Sequence, residues 1–180
     1  MMTLTEAKEL LNKNNIAFNL LEFENETEYF HHSFMFPYTK SARSDKVTAI
    51  VIESNNGKKN IELQFNEIDG VYQFEEMLFG EFCYEMFNYN EEMLADDLIH
   101  NIKEIKTGNL TVIVLNDIKN HRWLSDARFD LSDDDEGFGK TGFQKAMKKI
   151  EKPKSFLSKI NKSKFQYEIY DWNTYHCIIK

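Results

Sequence analysis

The 180-residue chain contains few of the residues that mark linkers or disulfide frameworks. It has two prolines and seven glycines, which leave little material for a long flexible linker. Its two cysteines, Cys83 and Cys177, each lie in a strand-like run of aromatic or aliphatic residues, so we expect both to be buried as small hydrophobic side chains. The sequence leaves a single disulfide between them open, although nothing in it indicates an oxidising compartment.

Long apolar runs are also missing. No stretch approaches the run of about 20 apolar residues that spans a bilayer. The first eight residues lack the basic segment and apolar core of a secretory signal. We therefore expect a cytoplasmic protein with no membrane partner. Lysine outnumbers arginine by 19 to 3, and asparagine and isoleucine are abundant, which we interpret as the mark of an AT-rich bacterial or phage genome.

Aromatic residues, by contrast, are abundant. They make up 14% of the chain, with 15 Phe and 8 Tyr, and each can bury a large apolar area. The length suits one domain with a well-filled core, and no internal repeat or clear boundary divides it. We therefore predict a single globular domain over residues 1–180.

Charge is distributed unevenly along the chain. The net charge is −8, but residues 140–164 hold nine Lys and one Glu, so the remainder carries −16. An acidic body repels phosphates, and we therefore expect no nucleic-acid partner and, if a partner exists, a basic protein. The basic segment has the form of an amphipathic helix that could bind a membrane or an acidic partner. We favour a solvated helix face that packs on the sheet, because its apolar stripe is short and lacks Trp.

The middle of the chain carries the strongest structural signal. Asn56-Gly57 and Asp69-Gly70 separate runs of strand-forming residues, and such pairs tolerate the positive φ angles of tight hairpin turns. Four antiparallel strands are predicted, over residues 47–52, 61–65, 71–79 and 82–87. The fold class expected is α+β, an antiparallel meander-based sheet of about six to nine strands with three to four helices packed against it.

The flanking regions predict the remaining elements. A capping box at Thr3 and Glu6 begins the first helix, and a second box at Thr141 and Gln144 begins another. Further helices are expected from Asn90 to Gly108 and from Pro153. Strands are expected over residues 16–20, 110–115, 165–170 and 175–179. Residues 29–36 suit a strand or a buried turn of helix, and we favour the strand. Residues 118–130 suggest packed structure that could be another strand.

Gly139-Lys140-Thr141 resembles the end of a phosphate-binding P-loop, which also opens a helix. The first glycine of that motif falls on Asp134, and four carboxylates crowd the preceding loop, where bare backbone N–H groups and positive potential are needed. We interpret the segment as a capped helix start.

The same acidic run, Ser132 to Gly137, has part of the composition of a calcium-binding loop. An EF-hand with its glycine at Gly137 would need an acidic residue at Ser132 and a Glu at Phe143, so the match fails at both ends. A looser cation site could use the acidic residues Asp130, Asp133, Asp134 and Asp135. We favour a solvated loop and predict no metal and no cofactor.

The five histidines, His31, His32, His100, His121 and His176, show no metal-ligand spacing. His31 and His32 would point to opposite faces of the predicted strand and could not chelate together. Carboxylates at Glu75, Glu81 and Glu85 are interleaved with aromatic residues, which could give paired carboxylates as in glycosidases. We interpret them as one half-solvated face of the sheet.

Two functional hypotheses follow. The favoured one is a non-enzymatic, acidic protein–protein interaction module, such as an immunity- or antitoxin-like inhibitor or an assembly component. Its predicted binding residues are Trp123, Asp130, Asp133, Asp134, Asp135, Glu136 and Trp172. The alternative is a small intracellular enzyme with a site assembled from dispersed His and Asp/Glu residues, drawn from His31 or His32, His121 and residues 126–135. No catalytic residue is identified, and no known family is recognised.

Overall fold

The computed structural model describes residues 2–37, 42–84, 91–152 and 164–180, with the backbone alone for residues 91 and 92. The chain divides into two compact units, Met1–Glu104 and Ile105–Lys180. The α+β class is confirmed: the described residues form four helices and nine strands, in antiparallel sheets of five and four strands. The strands are therefore shared between two sheets rather than collected in one. That the whole chain is a single domain stays a prediction.

The first unit is built on a five-stranded meander. Its strands lie in chain order, β1-β2-β3-β4-β5, and every neighbouring pair is antiparallel. The elements are α1 (Leu4–Lys13), β1 (Asn19–Phe23), α2 (Glu26–Ser33), β2 (Val47–Ile52), β3 (Ile61–Ile68), β4 (Val71–Phe79), β5 (Phe82–Tyr84) and α3 (Glu91–Thr107), whose last turn belongs to the second unit.

Both predicted chain reversals are present, but only Asp69-Gly70 forms a tight two-residue turn, whereas Asn56-Gly57 lies within a longer loop between β2 and β3. Asp69 and Gly70 have φ angles of 52° and 79°, and the turn that they form joins β3 to β4 directly. Gly57 has a φ of 67°, and the side chain of Asn56 accepts hydrogen bonds from the backbone N–H groups of Lys58 and Lys59, both at 2.8 Å. The four-strand meander is confirmed as far as Tyr84, and the predicted strand residues 85–87 lie outside the described part.

The first helix begins as predicted. Glu6 N donates to Thr3 Oγ1 at 3.3 Å, and Thr3 N donates to Glu6 Oε2 at 2.7 Å, so both halves of the capping box are present. The predicted strand over residues 16–20 begins later, at Asn19, because residues 16–18 connect α1 to the sheet without strand pairing.

The predicted strand over residues 29–36 is wrong, because this segment forms α2. Asn25 caps the helix, since its Oδ1 accepts a hydrogen bond from Glu28 N at 3.0 Å. Tyr29 is fully buried against alternate residues of β2, and Phe30 and Phe34 pack beside it. The aromatic residues therefore cover the sheet at helical spacing. His31 and His32 follow each other on a helix and do not occupy opposite faces of a strand.

The second unit contains a four-stranded antiparallel sheet in the order β7-β6-β8-β9. Its elements are β6 (Leu110–Asp117), β7 (Arg122–Asp130), α4 (Lys140–Glu151), β8 (Phe165–Tyr170) and β9 (Tyr175–Ile179). The predicted strand at 110–115, the suggested one within 118–130 and the closing hairpin are confirmed. Phe143, Met147 and Ile150 of α4 pack on this sheet, as predicted.

Two predicted helix ends have different outcomes. Gly108 follows α3 with a φ of 78°, as expected of a helix-ending glycine. The capping box at Thr141 and Gln144 is wrong, because α4 already begins at Lys140 after Gly139, which has no capping side chain. The Thr141 hydroxyl donates instead to the carbonyl of Asp134 at 3.2 Å. The predicted helix from Pro153 lies outside the described residues.

The prediction that both cysteine side chains are buried is wrong. Cys83 and Cys177 do not form a disulfide, and both are exposed. Each lies on the last strand in the order of its sheet, β5 and β9, where one side of the strand has no neighbour among the described strands. An apolar neighbourhood in sequence therefore did not bury these side chains.

In the described part of the chain, no helix combines the length and apolar character that crossing a membrane demands.

Candidate functional site

The acidic loop, residues 132–138, connects β7 to α4 and is closed at its base by backbone hydrogen bonds. Asp130 N donates to Phe138 O at 2.8 Å, and Lys140 N donates to Asp133 O at 2.5 Å. Asp130 and Gly139 also form an isolated parallel bridge. The two ends of the loop are therefore held side by side.

The loop's own carboxylates hold its backbone. Asp130 Oδ1 accepts from Ser132 N at 2.8 Å and from Ser132 Oγ at 2.6 Å, and Asp133 Oδ1 accepts from Asp135 N at 2.9 Å. Asp135 Oδ1 accepts from Gly137 N in the same way. These are turns in which an aspartate bonds the backbone two residues ahead. No group of three or more His, Cys, Asp or Glu in the described ranges is arranged to hold a metal ion.

Two glycines allow the loop to pack this closely. A Cβ atom at Gly139 would collide with the backbone carbonyl of Asp133, and one at Gly142 would collide with the carbonyl of Gly137. Both glycines are buried. Gly139 therefore allows the loop to pack against the start of α4, which agrees with the interpretation of a helix start. Its lack of a side chain is needed for this packing and not for the approach of a phosphate.

Phe138 is the functional candidate that sequence reasoning missed. It lies between Gly137 and Gly139, and its side chain is 70% exposed, the largest exposure among the described large hydrophobic residues. The carboxylates of Asp133, Asp134, Asp135 and Glu136 are exposed beside it in sequence. The sequence held one signal for this exposure. Phe138 lies outside the Phe143-Met147-Ile150 stripe, so its side chain is not needed to pack α4 on the sheet.

The structure does not bring the seven predicted binding residues together. Trp123 is 47% exposed on β7, seven residues from Asp130, or about 23 Å along an extended strand. Trp172 is only 5% exposed, and Lys106 Nζ lies 5.5 Å from its ring centroid. Trp172 is therefore part of the packed interior. The five acidic residues share the loop and its base, and their role in binding stays a prediction.

No protein-family model, curated protein or solved structure matches this chain. The functional inference therefore depends on the residues of the chain itself.

The basic segment is described as far as residue 152. In α4, Lys145, Lys148 and Lys149 are exposed, whereas the apolar stripe packs on the sheet. Lys145 Nζ lies 3.2 Å from Glu136 Oε2, so one lysine of the segment pairs with the acidic loop. This arrangement agrees with a solvated helix face over residues 140–152.

A second candidate, the α2 cleft, lies within the first unit, where the end of α2 meets the β2–β3 loop and the β4–β5 turn. Its volume is about 450 Å³. The residues that line it share polar or charged character, apart from Phe34, Met35 and a glycine: His31, His32, Ser33, Phe34, Met35, Lys58, Lys59, Asn60, Glu62, Gly80 and Glu81. Imidazole and carboxylate groups thus meet in one concave site.

Glu62 is the central carboxylate of the α2 cleft. It lies on β3, where Glu62, Gln64 and Asn66 alternate with apolar residues, and all three are buried. Ser33 Oγ donates to Glu62 Oε2 at 2.7 Å, and His32 Nε2 lies 3.9 Å from Oε1. Burial raises the pKa of Glu62, and the Ser33 hydrogen bond opposes that shift.

The predicted row of carboxylates Glu75, Glu81 and Glu85 is not a shared exposed face. Glu81 lies in the β4–β5 turn, is buried, and pairs with Lys59 Nζ at 3.1 Å. Glu75 is exposed and pairs with Arg43, whose Nη2 lies 2.7 Å from its Oε1. Glu85 lies outside the described residues. The turn after Phe79 takes Glu81 out of the strand alternation on which the prediction depended.

The other histidines are distributed over both units. His100 is exposed on α3 in the first unit, and His121 and His176 are exposed in the second. His121 occupies the β6–β7 turn with a φ of 49°. Only His31 and His32 line the α2 cleft.

Proposed function

We propose that this chain is a protein–protein interaction module that binds a basic partner through the acidic loop, as an immunity- or antitoxin-like inhibitor or an assembly component would. The observation that carries the proposal is the 70% exposure of Phe138 on a loop whose backbone is fixed by its own aspartates and glycines. Burying an exposed phenylalanine on a partner gains apolar contact without first breaking contacts within the chain.

The rigidity of the loop supports binding. A partner that docks on a flexible loop must order it, which weakens association, whereas a pre-ordered loop avoids most of that entropy loss. Asp130, Asp133 and Asp135 each bond the loop backbone. Phe138 is therefore presented in one backbone conformation, and aromatic side chains so presented are common sites of concentrated binding energy.

The charges support a basic partner. Asp134 and Glu136 are exposed beside Phe138 in sequence, and exposed carboxylates attract cationic surfaces and speed association. Residues 1–104 contain 20 acidic and 8 basic residues, whereas residues 105–180 contain 10 acidic and 14 basic residues. The acidic loop is thus a local negative feature of a unit that is otherwise basic in composition. We expect the partner to present an apolar pocket bordered by Lys or Arg.

The proposal is tested by identifying the partner and then measuring its affinity for matched variants. Proteins that co-purify with the wild-type chain from its host are identified, and the best candidate is purified for binding measurements. Phe138→Ser should weaken binding by at least about tenfold, the loss of roughly 1.4 kcal/mol expected of a buried aromatic contact. Trp123→Ser changes an exposed aromatic residue outside the loop and is the matched control.

A second measurement addresses charge. Asp134→Asn removes one exposed carboxylate, and we expect a slower association rate and a weaker dependence of that rate on salt, with little change in dissociation. If Trp123→Ser weakens binding and Phe138→Ser does not, the acidic loop is not the interface. If the purified chain binds none of the captured proteins at physiological salt, the proposal is lost.

A further inference from the structure

The two carboxylate oxygens of Glu62 have different surroundings. Oε2 accepts the hydrogen bond from Ser33 Oγ at 2.7 Å. The nearest basic group to Oε1 is His32 Nε2 at 3.9 Å, which is beyond hydrogen-bond distance. The buried Tyr29 hydroxyl also lies near this carboxylate and lowers its pKa, but it does not reach hydrogen-bond geometry with either oxygen, so in the described ranges no donor bonds Oε1. A carboxylate that is mostly buried and lines the α2 cleft thus keeps one oxygen for an additional donor.

In the described ranges no lysine forms an ion pair with Glu62, although the charges of His32 and Lys59 both lower its pKa. Lys59 is the nearby ammonium group on the cleft wall, but it lies 3.1 Å from Glu81 Oε1. The Lys59 and Glu81 side chains are 15% and 2% exposed, so this pair is largely removed from water. A buried carboxylate without a cation in direct contact is unfavourable, and a cation bound at hydrogen-bond distance would stabilise it.

From these contacts we infer that the α2 cleft binds a small primary alkylammonium ion, whose ammonium group donates to Glu62 Oε1. Its short alkyl chain lies against Phe34 and Met35, the apolar side chains of the cleft. A volume of about 450 Å³ suits a small molecule. A charge-assisted hydrogen bond between ammonium and carboxylate is stronger than one between neutral groups.

A metal ion fits the cleft less well. His32 and Glu62 would supply two ligands, but no third His, Cys, Asp or Glu in the described part of the chain completes a metal-binding group. A protein metal site generally needs three or more such ligands. An ammonium ion needs only acceptors at hydrogen-bond distance, which Glu62 Oε1 provides.

The inference is tested with n-butylammonium as the probe and backbone amide NMR as the readout. We expect saturable shifts at cleft residues such as Ser33, Asn60 and Gly80. Glu62→Gln should weaken binding by at least about tenfold, because the ammonium loses its charged acceptor. Glu22→Gln, at an exposed position on β1, should bind as the wild type does.

Two further measurements keep the test decisive if Glu62→Gln does not fold. n-Butanol, which carries the same alkyl chain without charge, should bind at least about tenfold more weakly. In the wild-type protein the carboxyl ¹³C signal of Glu62 should titrate at lower pH when n-butylammonium is present, because a nearby cation favours the carboxylate. Equal binding of butanol, an unchanged Glu62 titration or the absence of saturable shifts would each overturn the inference.

Discussion

Asn66 and Glu26 are joined by a buried hydrogen bond across 40 residues of sequence, with Asn66 Nδ2 donating to Glu26 Oε1 at 2.7 Å. The same carboxylate accepts from Arg43 N at 2.6 Å and from Gln64 Nε2 at 3.4 Å. Glu26 is in the first turn of α2, and Asn66 and Gln64 lie on β3. One carboxylate therefore connects the helix to the central strand of the first sheet.

Removal of this carboxylate should destabilise the first unit. Glu26→Ala leaves the buried amides of Gln64 and Asn66 short of an acceptor, and we expect a loss of about 3 kcal/mol in the free energy of unfolding. Urea denaturation followed by circular dichroism measures it. Glu22→Ala, at an exposed position, should change that free energy by less than about 0.5 kcal/mol. Equal effects of the two substitutions would contradict the prediction.

Glu76 should make stability depend on pH. Burial raises the pKa of Glu76, and the Cys83 thiol, at 3.2 Å, opposes the shift by donating a hydrogen bond. In an unfolded chain the pKa of a glutamate is about 4.3. Because the pKa of Glu76 is raised in the folded state, its full contribution to the free energy of unfolding is present below that pH. The contribution is lost as the pH rises through the folded pKa.

Glu76→Gln removes that loss, because glutamine does not ionise. The urea midpoint of the variant should therefore match that of the wild type near pH 4, and exceed it at pH 7. Glu22→Gln, at an exposed position, should show no such divergence between the two pH values. A Glu76→Gln difference that is the same at both pH values would show that ionisation of Glu76 is not its cause.

The glycines beneath the acidic loop should not tolerate a side chain. Gly139→Ala places a Cβ against the backbone of Asp133, which cannot move without breaking the loop's base, and we expect a loss of about 1–3 kcal/mol. At Gly137 the nearest atom to an added Cβ is Asp135 Oδ1 at 3.1 Å, which belongs to a side chain. Gly137→Ala should therefore cost less. Thermal unfolding of both variants measures the difference, and a larger loss for Gly137→Ala would refute it.

The two tryptophans should report different environments. In Trp172→Phe the remaining indole is Trp123, which is 47% exposed, so acrylamide should quench its fluorescence strongly. In Trp123→Phe the remaining Trp172 is buried, and quenching should be weak. Trp172→Ala should cost about 3–5 kcal/mol in the free energy of unfolding, as other large core truncations do. Similar quenching of the two single-tryptophan variants would contradict the burial of Trp172.

Local signals predicted the elements whose chemistry is contained in a few adjacent residues. The Thr3–Glu6 capping box and the turn at Asp69-Gly70 depend on backbone geometry within four residues, and both occur as predicted. Asn56-Gly57 marks the reversal between β2 and β3, but as part of a longer loop. The segment from Tyr29 to Phe36 failed because its aromatic run suits a buried strand or a buried helix equally well in sequence. The asparagine cap at Asn25 was the signal that could have separated the two.

The candidate sites were predicted less well than the fold. The acidic loop was recognised from composition, but the exposure of Phe138 depends on how Gly139 and Gly142 pack against the loop backbone. Trp172 was expected at a binding surface because aromatic residues are common at interfaces, yet it lies in the interior beneath Lys106. Exposure is a property of what surrounds a side chain, and a single sequence does not state it.

By itself, the sequence determined the α+β class, the meander and the first helix start, because turns, caps and strand alternation depend on neighbouring residues. Tertiary structure alone decided that the polar face of β3 lies buried and that Glu62 meets His32 and Ser33. The alternation on β3 marks one polar face, which would ordinarily face water. In the described part of the chain, α2 packs on that face and removes it from solvent, and this contact joins residues about 30 positions apart.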